Sequence, residues 1–348
     1  QNGLVSNDQY GGGIKINNSH PRLSHLRVRN NTSPSGGGIW IVNSANPKIN
    51  HLTIYNNNAS LNDGGGIGIY GDCNVEIVHT TIFNNQCPSQ GGGIYVSGNS
   101  VLDIIRSTIS LNEVEGVQYP AAGNGVSIGL GSSLNSNSSI IWGNQGLFND
   151  IDEVGGSANI NYTITDSDFD GEGNINTNPL FSSNTNFSLQ EASPAIDSGD
   201  PNLPLDPDGT IADIGVTFFF QEANVVLTSS EEYLTNNSSV SIEATFSAYI
   251  TGFNQGDIEV FNSTISGFNG EGTMYSFNVI PSQDGVCWVF IPSGVNSDGT
   301  SLASDTLFFN YDGTSPQIEI SSDLYPFTKQ SNIPYEINFS EVVTGFDL

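Results

Sequence analysis

The chain has 348 residues, of which only 12 % are charged, and a formal net charge of −29. Its length suits two or three domains, and 36 % apolar residues with 19 Phe and 12 Tyr are too many for a disordered chain. Seven Lys and Arg against 36 Asp and Glu exclude the basic footprint that nucleic acid or an anionic membrane surface requires, and no apolar run is long enough for direct membrane insertion as a helix.

The first ten residues lead almost at once into a repeat. GGGI begins at Gly11, Gly36, Gly64 and Gly91, and a weaker copy runs Gly123-Asn124-Gly125-Val126. A second ladder, Val28, Ile54, Ile82, Ile109 and Ile141, stands three residues before Asn31, Asn57, Asn85, Asn112 and Asn144. A third, Leu23, Ile49, Ile77 and Ile104, precedes the second by five residues. Three short β-branched segments per period, none long enough for an amphipathic helix, predict a solenoid whose coils each contain three short strands paired in parallel with the next coil. The glycines suit a tight bend that needs positive φ or close approach, and the Asn row suits an αL bend with amides bonded from coil to coil. A solenoid needs a cap over its open end, and nothing before Gly11 reads as one, so the polypeptide is expected to extend upstream.

These blocks resemble the right-handed parallel β-helix proteins of the pectin-lyase-like superfamily. The GGGI blocks with trailing Asn, of which Ile82-Phe83-Asn84-Asn85 is the closest local match, also look like the repeats of bacterial polymorphic outer-membrane proteins. The resemblance covers residues 1–220 and implies fold more than activity, because that superfamily holds lyases, hydrolases, adhesins and passive stalks. After Gly146 the glycine repeat stops. Asn174–Phe181, Phe187–Gln190, Ser193–Asp200 and Leu205–Gly215 look like the closing coils of such proteins.

A different pattern starts at Val225. Alternating segments at Val225–Leu227, Val240–Phe246, Ile258–Phe261, Tyr275–Ile280, Val286–Ile291 and Thr306–Tyr311, with Asn269-Gly270, Asp284-Gly285 and Asp298-Gly299 as turns, predict an antiparallel β-sandwich over 221–314. Phe246, Thr251, Gly252 and Phe253 return as Phe339, Thr344, Gly345 and Phe346. Residues 315–348 therefore read as the start of a second sandwich, with further copies expected beyond it. Phe339-Ser-Glu-Val-Val-Thr-Gly-Phe346 resembles the bacterial Ig-like repeats of large surface proteins. The fold class expected is all-β: a right-handed parallel β-helix, an Ig-like sandwich and the beginning of another.

Several residue sets could carry function. His25, His51, His79 and Arg106 recur at one position of the period and read as an outward row, either a polar surface ladder or a ligand site, with Arg22, Arg27 and Arg29 close enough to help hold an anionic group. Tyr55, Phe83 and Trp142 form one exposed aromatic row and Trp40 and Tyr95 another; such rows suit a glycan or a partner protein. Residues 121–348 hold 29 acids and a single base, Lys329, which suggests Ca²⁺ as a cofactor. Asp166, Asp168 and Asp170 begin like an EF-hand loop, although its twelfth position is Thr177 rather than Glu. Asp197, Asp200, Asp206, Asp208 and Asp213 form a denser group, and Asp257, Asp298 and Asp312 stand near expected strand ends. Cys73, Cys87 and Cys287 describe neither a disulfide framework nor a zinc site, and the spacing leaves a Cys73–Cys87 bridge open.

Two functions follow. One is a secreted or surface-anchored bacterial adhesin or stalk, extracellular, with the β-helix as the binding face and Ig-like domains as spacers. The other is a polysaccharide-active enzyme, a lyase or glycoside hydrolase. A hydrolase needs two carboxylates about 5–9 Å apart. Asp72 and Asp103 are not equivalent in the repeat, so no adjacent carboxylate pair is expected among Asp72, Glu76 and Asp103.

Overall fold

The computed structural model describes residues 10–115, 123–147, 149–297, 299–324, 326 and 328–346. Asp298, one of the expected strand-end carboxylates, lies outside them. The chain forms two compact units, Gln1–Gln221 and Glu222–Leu348. No helix among the described residues is long and apolar enough to cross a membrane.

The first unit is a parallel β-solenoid. Its first sheet stacks Ile14–Asn17, Ile39–Val42, Ile67–Tyr70, Ile94–Ser97, Val126–Ile128 and Ile151–Glu153. The second stacks Arg22–Ser24, Lys48–Asn50, Asn74–Val78, Val101–Ile105, Ser133–Asn137 and Ser157–Asn161. The third stacks Arg27–Arg29, Thr53–Tyr55, Thr81–Phe83, Thr108–Ser110, Ile140–Trp142 and Ile164–Thr165. All are in parallel register, so Ile14, Ile39, Ile67, Ile94, Val126 and Ile151 form one continuous row. A fourth strip of two-residue strands, Thr32–Ser33, Asn58–Ala59, Gln86–Cys87 and Glu113–Val114, adds a strand to the three expected per coil. The aliphatic rows face inward: Ile39, Ile54, Ile67, Ile69, Ile77, Ile82, Ile94, Ile104 and Ile109 are fully buried. Each such side chain contributes about 1.5–3 kcal/mol.

The glycine triplet combines two constraints. Its first residue takes positive φ, as at Gly91 (+65°). The third does not, but a Cβ at Gly93 would lie 2.6 Å from the Gly125 carbonyl oxygen of the next coil. The ladder asparagines are not themselves the αL residues. That conformation falls one residue earlier, at Asn30, Asn56, Asn84, Leu111 and Gly143, which turns the ladder side chain inward.

Beyond Thr165 the expected closing coils do not form. Ile164 bridges Ile175 in parallel, and Phe181 bridges Leu189 antiparallel. The rest is an irregular strap that folds back over the third sheet. The reason is apolar surface on that sheet's outside: Ile140, Ile164 and Trp142 join Leu189, Ala195, Ile214 and Phe219 in a separate cluster. The Val216 amide donates to Thr108 Oγ1 (3.1 Å), and Phe187 packs its edge on Phe83 at 5.4 Å.

In the second unit a three-stranded antiparallel sheet (Val225–Ser229, Val240–Ile250, Ser263–Pro281) shares one core with a four-stranded sheet (Leu234–Thr235, Leu307–Tyr311, Gly285–Phe290, Glu259–Phe261). Asn269-Gly270, expected as a turn, lies inside the 19-residue strand Ser263–Pro281. Ile318–Ser321 and Glu336–Phe339 form a further antiparallel pair. Its register copies the first: Val225 pairs with Phe246 and Ile318 with Phe339. Edge-to-face Phe246–Phe253 (5.2 Å) likewise returns as Phe339–Phe346 (5.1 Å). Cys73, Cys87 and Cys287 are free and buried, and burial pushes the Cys87 thiol up to about 12.

Candidate functional site

The His row occupies the bend between the second and third sheets rather than a strand. His25, His51, His79 and Arg106 all have φ between +45° and +54°. Histidine is among the few residue types enriched in that conformation. The rings stack at 4.9 Å, nearly parallel between His25 and His51. Burial, then Arg106 and His51, lower the His79 pKa to about 4. The next rung, Arg106, is mostly buried and pairs with Asp206 at 2.8 Å while donating to the Pro204 carbonyl. One end of the row is thus the strap's anchor.

The carboxylates of the strap act together on backbone N–H groups. Asp206 accepts from the Asp213 amide (2.7 Å), and Asp213 from Asp197 (2.8 Å) and Phe219 (2.6 Å). Asp208 accepts from Thr210 and the Gln221 amide, and Asp200 from Asn137 and Asn202. Burial pushes Asp213 up to about 6, and raises Asp206 despite the guanidinium beside it. Asp166 accepts from the Asp150 amide and Asp168 from Asn176, while Asp170 is exposed. Among the described residues no group of three or more His, Cys, Asp or Glu side chains is arranged to hold a metal ion.

The aromatic rows stack on themselves. Tyr55 and Phe83 are parallel at 5.0 Å, and Tyr10 and Trp40 at 5.1 Å. Trp40 leans over Gly68, where a Cβ would lie 2.4 Å from its ring, and Tyr95 is half-buried on the same face. Trp142 packs under the strap. Residues one coil apart are about 4.8 Å apart, so planar side chains in one row cover each other's faces and present edges outward.

Where the strap stops short of the first coils it leaves a groove of about 540 Å³. Its floor is Thr53, Tyr55, Thr81 and Phe83, the last buried beneath Phe187 rather than exposed as expected; Asn56 and Asn84 rim it, and Thr185, Asn186, Val216 and Thr217 wall it. Arg27 stands at one end, and the Arg29 guanidinium lies 5.9 Å over the Tyr55 ring. The described lining contains no carboxylate. Sequence reasoning reached Tyr55, Phe83, Arg27 and Arg29 but missed the strap wall, because nothing periodic marks where an irregular segment comes to rest. A larger hollow of about 640 Å³ in the second unit is acidic, and its Glu231 is held by Thr235 and Asn237.

One carboxylate pair escaped the sequence reading. Glu76 and Asp103 are register neighbours on the outside of the second sheet, between Lys48 and Asn135. The expectation of no adjacent pair is therefore corrected: Asp72 is not the register equivalent of Asp103, but Glu76 is. Lys48 bonds Glu76 at 2.8 Å, and Asn135 bonds Asp103 at 2.7 Å.

No curated protein and no solved structure matches the chain. The first unit does match a family model: residues 2–169 are similar to the family described as right handed beta helix region, and the stacked coils are a parallel β-solenoid of that kind.

Proposed function

We propose that this protein is an extracellular, cell-surface binding protein in which the solenoid recognises a glycan and the antiparallel unit is an Ig-like spacer. The groove beside the strap carries the reading. It has an aromatic floor, walls rich in hydroxyl and amide groups, and described lining residues without the carboxylates that glycosyl transfer to water uses. The repeated pairing register in the second unit supports the spacer role, since a tandem copy extends reach without adding a site. The reading is tested by presenting the full chain to a glycan array beside a Thr53→Trp variant, in which the floor is filled. Glycan binding lost in the variant supports it; binding that ignores the substitution places recognition elsewhere.

The Glu76–Asp103 pair favours a second reading, action on polysaccharide. A reducing-sugar assay with Glu76→Gln and Asp103→Asn decides it: activity abolished by both substitutions makes the pair catalytic. The contacts to Lys48 and Asn135 instead support a charge ladder that tolerates substitution. A rise in thermal midpoint with CaCl₂, reversed by EGTA, is the corresponding test for calcium.

A further inference from the structure

We infer that the groove takes a neutral glycan bearing one anionic substituent, a carboxylate or a sulfate, held at its arginine end. The inference rests on the glycan-binding reading and adds the chemistry of the ligand.

The argument starts from how few cations the chain has. Of seven Lys and Arg, Lys48 is paired with Glu76 and Arg106 with Asp206. Arg27 and Arg29 are exposed, and neither forms an ion pair among the described residues, in a protein of net charge −29. They are alternate residues of one strand, so both project from the outer face of the third sheet, roughly 7 Å apart. The Tyr55 ring under Arg29 limits where that guanidinium can go. Two guanidiniums at this spacing offer an anion charge-assisted hydrogen bonds from two sides. From Arg27 the groove runs on past Thr53 and Asn56 to Thr81 and Asn84 in the coil beyond, donors and acceptors suited to sugar hydroxyls. With the Tyr55 and Phe83 faces stacked on each other, the aromatic floor offers edges rather than faces, and the hydrogen bonds to the ligand fall to these polar groups.

The same charge balance favours a ligand with a single anionic group over a polyanion. At low salt the field of a strongly negative protein reaches about 30 Å, so a polyanion is repelled along most of its length. A single acidic substituent feels mainly the two arginines beside it.

The experiment uses the full chain and matched pairs of oligosaccharides, each neutral chain beside the same chain carrying one uronic acid, sialic acid or sulfate. Oligouronates serve as the polyanionic comparison. Titrations are run at 20 and 200 mM salt. Singly acidic members are expected to bind at least tenfold tighter than their neutral partners and tighter than the oligouronates. The R27Q/R29Q double variant should erase that preference while moving the thermal midpoint by no more than the loss of the Arg29–Tyr55 contact, because both arginines are exposed and form no ion pair among the described residues. Equal binding of both members of a pair, tightest binding of oligouronates, or a preference that survives R27Q/R29Q overturns the inference. If both members of each pair bind equally and Thr53→Trp blocks them, the glycan reading stands while the anionic preference falls. If no oligosaccharide binds, both fall.

Discussion

The asparagine ladder shows how single residues hold the column. Asn57 donates Nδ2 to Asn85 Oδ1 (2.9 Å) and to the Val28 carbonyl, and Asn85 repeats both bonds one coil later. The Asn57 amide also donates to Asn85 Oδ1. Replacing Asn85 with Ala orphans two donors of Asn57 in a fully buried site, so a loss of roughly 3 kcal/mol is expected by denaturant titration of the solenoid. A loss under 1 kcal/mol would show the ladder to be ornamental. Two titrating groups give opposite pH effects. Burial, then Asp166, push Asp150 up to about 7 from 3.8, so its contribution is greatest below 3.8 and is lost as pH rises through 7. His79 is lowered from 6.5 to about 4, so its contribution is present above 6.5 and lost as pH falls through 4. The stability of wild type relative to Asp150→Asn should decline between pH 4 and 8, by at most roughly 1.4 kcal/mol per pH unit. Relative to His79→Gln it should decline from pH 6.5 downward. Flat differences across both ranges would contradict these assignments. The ladder was legible because Asn recurs in phase with the aliphatic rows. The bend at His79 was not, because a repeat period fixes neighbours between coils but leaves φ within a coil open.

At the scale of elements, strands and strap obey different rules. Strand positions were readable because each must put an aliphatic residue inward once per coil; even the sixth coil, with Ile151 after no glycine triplet, stacks in register. A row of hydroxyls is hidden in the sequence because it replaces Leu52 by Thr80, Ser107 and Ser139: the Leu52 amide donates to Thr80 Oγ1, and Thr80 and Ser107 continue the pattern. The strap holds by side chains meeting backbone over separations near 100 residues, which no local pattern announces. Arg106 is its main fastening. An Arg106→Gln variant leaves Asp206 buried without its counter-charge, a loss of roughly 3 kcal/mol that should appear locally. Hydrogen exchange should accelerate at the Gly199, Ile214 and Gly215 amides, which bond to Ala212, Ala195 and Ser138, and leave the Ile67 and Ile94 amides protected. Uniform acceleration along the chain would mean that the strap does not open by itself.

For the whole molecule, two units with separate cores predict two calorimetric transitions. Only the solenoid transition should carry the Asp150 and His79 pH dependence, and a single transition shifted by Asn85→Ala would reject this independence. The internal copy at Phe339 was legible from spacing alone, whereas the second unit's 19-residue strand was not, because Gly270 and Gly272 within it carry turn chemistry. The amide ladder of the solenoid also has a direction. Every link gives its hydrogen to the following coil, so the positive end of the array lies at Asn144, and there the partner is the Asp150 carboxyl, which once ionised above about pH 7 has only acceptors to offer. Asp150 passes on its backbone amide alone, to another carboxylate, Asp166. Two acids in succession close the polarised array as an anion closes a helix amino terminus. The winding thus has a built-in full stop, and an amide in place of Asp150 would lengthen the sentence by one word.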